Sequence, residues 1–199
     1  YLFALITLRT NLEFTMPASA LTRFQPRMQH LSRRLALGCL LLIITLPVAQ
    51  AVYWAVADAQ SLAVAANLMP QNMIDELLPW QRVAGAVLMG IPLWMLLAGV
   101  WQARKCFLLF AAGRVFTPDA IRHLRRFAGW AAASAAANIV CKAAVSVTIT
   151  MQNAPGHRVL AVGIGSDQIL LLFFAAMVWL MAALVGEGLR LADENASFI

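Results

Sequence analysis

The stretch Leu35–Ala57 reads LALGCLLLIITLPVAQAVYWAVA and carries no charged residue. A helix rises about 1.5 Å per residue, so a run of this length crosses the roughly 30 Å of hydrocarbon in a bilayer. Pro47 lies inside it, and a membrane helix tolerates such a proline as a kink. Three further runs follow. Val83–Ala103 is free of charge and contains Pro92. Phe127–Thr150 is interrupted by charge only at Lys142. Gln168–Gly186 is again uncharged, and Val159–Gly165 before it is also apolar, which would allow an earlier start.

Composition agrees with four spans. Hydrophobic residues make up 62% of the chain and charged residues 12%. A soluble domain carries about 45–50% and about 25%. The expected fold is therefore all-α: an integral membrane bundle of four transmembrane helices, forming a single domain over 16–199. Tyr1–Thr15 precedes Met16 and reads as an extension outside the native chain, from a fragment boundary or a misplaced start.

The flanking charges predict orientation. Arg23, Arg27, Arg33 and Arg34 precede the first span. Arg104, Lys105, Arg114, Arg122, Arg125 and Arg126 lie between the second and third, against one acid, Asp119. The first-to-second connection carries Asp58, Asp75 and Glu76, with Arg82 at its end, and the third-to-fourth carries Arg158 and Asp167. Lys and Arg collect on the cytoplasmic side, so both ends and the middle loop are predicted inside. Trp54, Trp80, Trp101 and Trp130 fall near the predicted interfaces, where amphipathic rings settle. Ala49-Gln50-Ala51 resembles a signal-peptide cleavage site, but the apolar run before it is too long and continues through Trp54. The net charge of +6 sits at the ends of apolar runs, a topology pattern rather than a nucleic-acid face, and no direct nucleic-acid binding is expected.

The middle loop has readable local chemistry. Thr117 fits an N-cap, Pro118 the first helical position, and Asp119 the first turn. Phe116 and Ile121 occupy the two staple positions. The third helix is thus predicted to start at Pro118, in the cytoplasm, and run into the membrane. Arg114, Arg122, Arg125 and Arg126 form a candidate docking surface for a cytoplasmic partner or an anionic lipid headgroup, or a plain positive-inside anchor.

Two stretches carry a resemblance. Cys106–Trp130, with Gly113-Arg114-Val115-Phe116-Thr117-Pro118 and Leu124-Arg125-Arg126, is one. The tail Gly186-Glu187-Gly188-Leu189-Arg190-Leu191-Ala192-Asp193-Glu194-Asn195, followed by Phe198 or Ile199, is the other. Together they resemble a bacterial membrane family catalogued as domain of unknown function 2975, over roughly Leu35 to Ile199. The resemblance implies a four-span, multi-pass protein of the bacterial inner membrane. It also implies a possible partner, because relatives are often encoded beside a small helix-turn-helix regulator. It implies no catalytic residues.

Candidate sites within the spans are few. Ser134, Asn138, Lys142, Ser146 and Thr150 recur every four residues in the third span and form a slowly drifting polar stripe. At membrane depth such groups face a bundle interior and find partners, or line a pathway. The third and fourth spans should be neighbours, and helical rise predicts an ion pair between Lys142 and Asp167, with Asp58 as the competing partner. Gly129, Ala133 and Ala137 are spaced for close helix packing within the monomer, or for a homo-oligomer face. Cys39, Cys106 and Cys141 show no C-x-x-C spacing, and His30, His123 and His157 no metal-binding pair. No enzyme motif is present, so no catalytic site, metal or cofactor is expected. The leading functional expectation is a non-enzymatic regulatory or sensory protein acting through a cytoplasmic partner. The alternative is a small transporter or channel component using the polar stripe.

Topology is directly testable. A cysteine near Gln71 should react with an impermeant thiol reagent in intact cells, and one near Asp119 should not. The reverse pattern would overturn the ends-inside arrangement.

Overall fold

The protein is known as a computed structural model that describes residues 18–66, 68, 78–151 and 160–196. Tyr1–Thr15, Gln71, Asp75, Glu76, His157, Arg158, Phe198 and Ile199 lie outside the described residues. The described chain forms α1 (Ala18–Val56), a short α2 (Ala59–Ala65), α3 (Pro79–Ala111), α4 (Pro118–Thr150) and α5 (Ser166–Ala196). No strand occurs among the described residues. The four long helices are each long and apolar enough to cross a membrane, as expected for an all-α membrane fold.

The helices overrun the apolar stretches. The second extends to Ala111, so Arg104 and Lys105 lie on α3 and the connection shrinks to 112–117. The stop is Gly113, at φ 77°, in the left-handed region that glycine tolerates best. Its N–H donates to the Phe110 carbonyl at 3.0 Å, and the Arg114 N–H to the Leu109 carbonyl at 3.0 Å. This pair of bonds is the Schellman arrangement that satisfies orphan carbonyls at a helix end. The next helix starts where the sequence placed it. Thr117 Oγ1 accepts the Ala120 N–H at 3.3 Å, and Pro118 opens α4. The staple is not made: Phe116 stays 71% exposed, while Ile121 turns toward α5 near Gly186.

The long helices stand in a row, α1 against α3, α3 against α4, and α4 against α5. Burial follows this order. The apolar windows of α3 and α4 are 28% and 33% buried, those of α1 and α5 11% each, so the outer two present most of their surface to lipid. The central seam is built from small residues. Ala128, Ala131 and Ala135 of α4 are buried, and Gly99 of α3 lets the Trp130 Cβ approach to 3.2 Å of where its own Cβ would stand. The spacing at Gly129, Ala133 and Ala137 pointed one face away from this seam; Gly129 is exposed, with open space around it.

At the end opposite Gly113, buried polar side chains tie the helices together. Gln81 of α3 is 1% exposed; its amide donates to the Thr148 and Ile149 carbonyls of α4 at 3.0 and 3.3 Å, and its oxygen accepts the Leu78 N–H at 3.0 Å. Arg82 donates to the Trp54 and Ala57 carbonyls at 3.3 and 2.8 Å, placing a cation at the C-terminus of α1, where the helix dipole favours one. Trp54 is buried rather than spread in an interfacial belt, with Leu62, Ala63, Val145 and Ile149 in one core cluster. Its ring lies where a side chain on Gly85 would otherwise be. Asp58, just before α2, takes the Ser61 hydroxyl, and that bond holds its carboxyl below the usual carboxylate range.

The Trp54–Gly85 contact predicts a conditional cost. Gly85→Ala drives a methyl into the Trp54 ring, and overpacking of this kind costs about 1–3 kcal/mol. In a Trp54→Leu background the same substitution should cost far less, because neighbouring sites couple. Unfolding of the full chain in bicelles measures both. An equal loss in the two backgrounds would contradict the contact.

Candidate functional site

Two sites emerge, both resting on α4 and α5 and lying at opposite ends of that pair. The first is an arginine groove between the start of α4 and the end of α5. Pro118, Ile121, Gly186 and Leu189 line its lower part, and Arg122, Arg125, Arg126 and Arg190 surround a space of about 590 Å³. Gly186 lets the Arg125 guanidinium lie close over α5, at 3.2 Å from where a Cβ would stand. Arg122 pairs with Asp119, and Arg190 with Glu187 at 2.6 Å and Glu194 at 3.6 Å. These pairs are more than half exposed, so each contributes little stability but holds its guanidinium in place. Arg125 and Arg126 enter no ion pair among the described residues and remain available to an anion.

Three of the four arginines expected to act together, Arg122, Arg125 and Arg126, thus share one groove. Arg114 does not line it; it stays exposed in the turn after Gly113. Arg190 and Glu187 were not singled out from sequence as site residues. The signal was present in their i, i+3 spacing on the terminal helix, but only the fold shows that this helix returns beside α4.

The second site is a polar cavity of about 280 Å³ toward the other end. All four long helices contribute, with Gln50, Ser134, Asn138, Asp167 and Gln168 supplying its polar wall. The expected stripe on α4 does face inward: Ser134, Ser146 and Thr150 are buried, and Asn138 and Lys142 half-buried. Most of it is spent on bonds within the protein. Ser134 Oγ donates to the Pro92 carbonyl at 2.7 Å. Asn138 Oδ1 accepts from Gln168 Nε2 at 2.8 Å. Ser146 Oγ accepts the Ala161 N–H at 2.9 Å and donates to the Ala143 carbonyl at 2.7 Å. Thr150 Oγ1 donates to the Ser146 carbonyl at 2.8 Å.

The Gln168–Asn138 bond sets the register of α5 and changes one expectation. Lys142 and Asp167 form no ion pair; the pairs among the described residues are those of Arg122 and Arg190. Lys142 stands one turn, about 6 Å, beyond Asn138, and so beyond the start of α5. The helix does not extend back to fill that gap. Leu160–Gly165 is non-helical, tied by Ala161 to Ser146 and by the Gly165 N–H to Gln168 Oε1 at 2.8 Å. Exposure alternates along it: Leu160, Val162 and Ile164 point outward, and Ala161, Gly163 and Gly165 are half-buried. Period-two alternation is the habit of an extended chain lying on a surface.

Cys39, Cys106 and Cys141 are free and buried. Among the described residues no cluster of His, Cys, Asp and Glu is placed to hold a metal ion. His123 faces Gln102 of α3 at 2.8 Å and contributes to the α3–α4 seam.

Neither the curated proteins nor the solved structures gave a match. A family model described as a protein of unknown function (DUF2975) matches 69–199, which takes in α3, α4, α5 and both sites apart from Gln50 of α1. With well over half of its length matched, the chain belongs to the DUF2975 family.

Proposed function

We propose that this is a non-enzymatic regulatory or sensory protein of the bacterial inner membrane, acting through a cytoplasmic partner that docks an acidic segment in the arginine groove. The observation that carries the reading is the groove itself. It combines two guanidiniums that enter no ion pair among the described residues, Arg125 and Arg126, with apolar Ile121 and Leu189. A bare topology anchor needs only positive charge near the membrane; it needs no concave surface. Arg is also the residue suited to bidentate recognition of carboxylates and phosphates. The arginine-rich end is taken as cytoplasmic on the strength of the charge distribution. The helix-turn-helix regulator implied by the family resemblance is one partner of the right kind.

The alternative, a transporter or channel using the α4 stripe, draws less support. Ser134, Asn138 and Ser146 are committed to helix–helix and helix–loop hydrogen bonds and Thr150 to a bond within α4, which favours a role as glue.

The test is site-specific photo-crosslinking in cells from Leu189. A protein adduct should form that is lost in Arg125→Glu with Arg126→Glu and retained in Arg114→Glu, since Arg114 lies outside the groove. Adducts with lipid alone, or a protein adduct indifferent to Arg125 and Arg126, would contradict the docking reading.

A further inference from the structure

The polar cavity at the acidic end does not stop at its polar wall. It shares Gln50, Met89 and Leu93 with a second cavity of about 350 Å³. That neighbour is largely apolar, bounded by Leu46, Leu62 and Val145, with Trp54 and the short helix α2 along it. Each space is of the order of the small-molecule pockets, about 300–1,000 Å³, that bury drug-sized ligands. The two spaces adjoin at these shared residues, a polar head region beside an apolar arm.

The head region has a definite charge character. Among the described residues Asp167 is the sole charged one lining either cavity, and no described Lys, Arg or His lines the walls. Among the described residues Asp167 enters no ion pair. The natural candidate, Lys142, stands one turn beyond Asn138 and makes no ion pair with Asp167. The α5 N-terminus offers only the partial charge of the helix dipole. Two neutral groups stand nearby with capacity left. Gln50 donates through Nε2 to the Ala86 carbonyl at 3.3 Å and keeps its oxygen as an acceptor. Asn138 uses its oxygen for Gln168 and keeps its amide hydrogens.

We infer that this paired cavity binds an amphiphilic organic cation, a singly charged amine whose ammonium meets the Asp167 carboxylate and the Gln50 oxygen while its apolar tail lies in the arm beside Met89 and Leu93. Each element of the site selects for part of this ligand. The carboxylate discriminates against anions, which would face an unpaired like charge. The polar wall at the head, with Ser134 and Gln168 buried, discriminates against a purely apolar guest, which would leave it unmatched. The arm discriminates against small hydrophilic amines, which gain nothing from its apolar lining. Entry from the bilayer or from the acidic face is natural, because α1 and α5 flank the site without an extensive interface between them. The inference stands apart from the docking groove and uses none of its residues.

The experiment is equilibrium binding to the full chain in zwitterionic-lipid nanodiscs, with empty nanodiscs as the blank. The probes are octylammonium, octanol and octanoate, which share one tail and differ in head charge. Octylammonium should bind saturably and at least tenfold more tightly than either of the others. Asp167→Asn should weaken octylammonium at least tenfold and leave octanol unchanged, while Asp119→Asn, at the far end, should change neither. Leu93→Trp, which fills the junction of the two cavities, should abolish occupancy. Equal binding of octylammonium and octanol to the unaltered protein, no saturable signal above empty nanodiscs, or an Asp167→Asn variant that binds like the parent would each overturn the proposal.

Discussion

A polar group taken into hydrocarbon must find its partner inside the protein, because the solvent supplies none. That constraint organises this molecule more than apolar burial does. Lipid tails are as apolar as the side chains, so hydrophobicity places the helices in the membrane without choosing how they meet. The choice is made by a few polar side chains. Gln81 joins α3 to the end of α4, Arg82 closes the end of α1, Ser134 joins α4 to α3 at Pro92, and Gln168 joins α5 to α4 at Asn138. Small residues then admit the close approach these bonds require, as Gly99 does against Trp130 and Gly85 against Trp54. The most consequential of the bonds is Gln168–Asn138. It ties the start of α5 to the middle of α4, where Asp167 lines the polar cavity and, among the described residues, enters no ion pair.

Both sites follow from the same pair of helices. α4 begins in the arginine groove with Pro118 and passes through the polar cavity at Ser134 and Asn138. α5 begins in the cavity with Asp167 and ends in the groove with Gly186 and Arg190. Phe127 and Phe174 meet edge-on between them, with ring centroids 6.4 Å apart. The cavity and the groove thus lie at opposite ends of one helix–helix interface.

Much of the fold was legible in the residues. Four apolar runs predicted four membrane helices, because length and lack of charge are strong, local signals. The start of α4 was equally legible, since Thr117-Pro118-Asp119 satisfies backbone donors by short-range chemistry alone. What escaped the sequence depends on packing. Arg104 and Lys105 looked like loop residues because charge marks the edge of the membrane, not the end of a helix; the stop needed the left-handed Gly113. Phe116 and Ile121 had staple spacing, but Ile121 found α5 instead. The Lys142–Asp167 pairing rested on helical rise with both spans continuous. The stretch from Asp167 to Gly186 is helical as that reasoning assumed, yet the two side chains form no ion pair. Of the groove, Arg122, Arg125 and Arg126 were visible in sequence, whereas Arg190 required knowing which helices are neighbours.

The register of α5 against α4 is therefore the point on which the account turns, and disulfide trapping reads it directly. With the native cysteines replaced, Asn138→Cys with Gln168→Cys is compared with Lys142→Cys with Gln168→Cys under mild oxidation in membranes. The 138–168 pair should cross-link readily and the 142–168 pair poorly, since Lys142 lies a turn beyond the start of α5. Preferential cross-linking of the 142–168 pair would place α5 one turn further out, restore the ion pair with Asp167, and contradict the account.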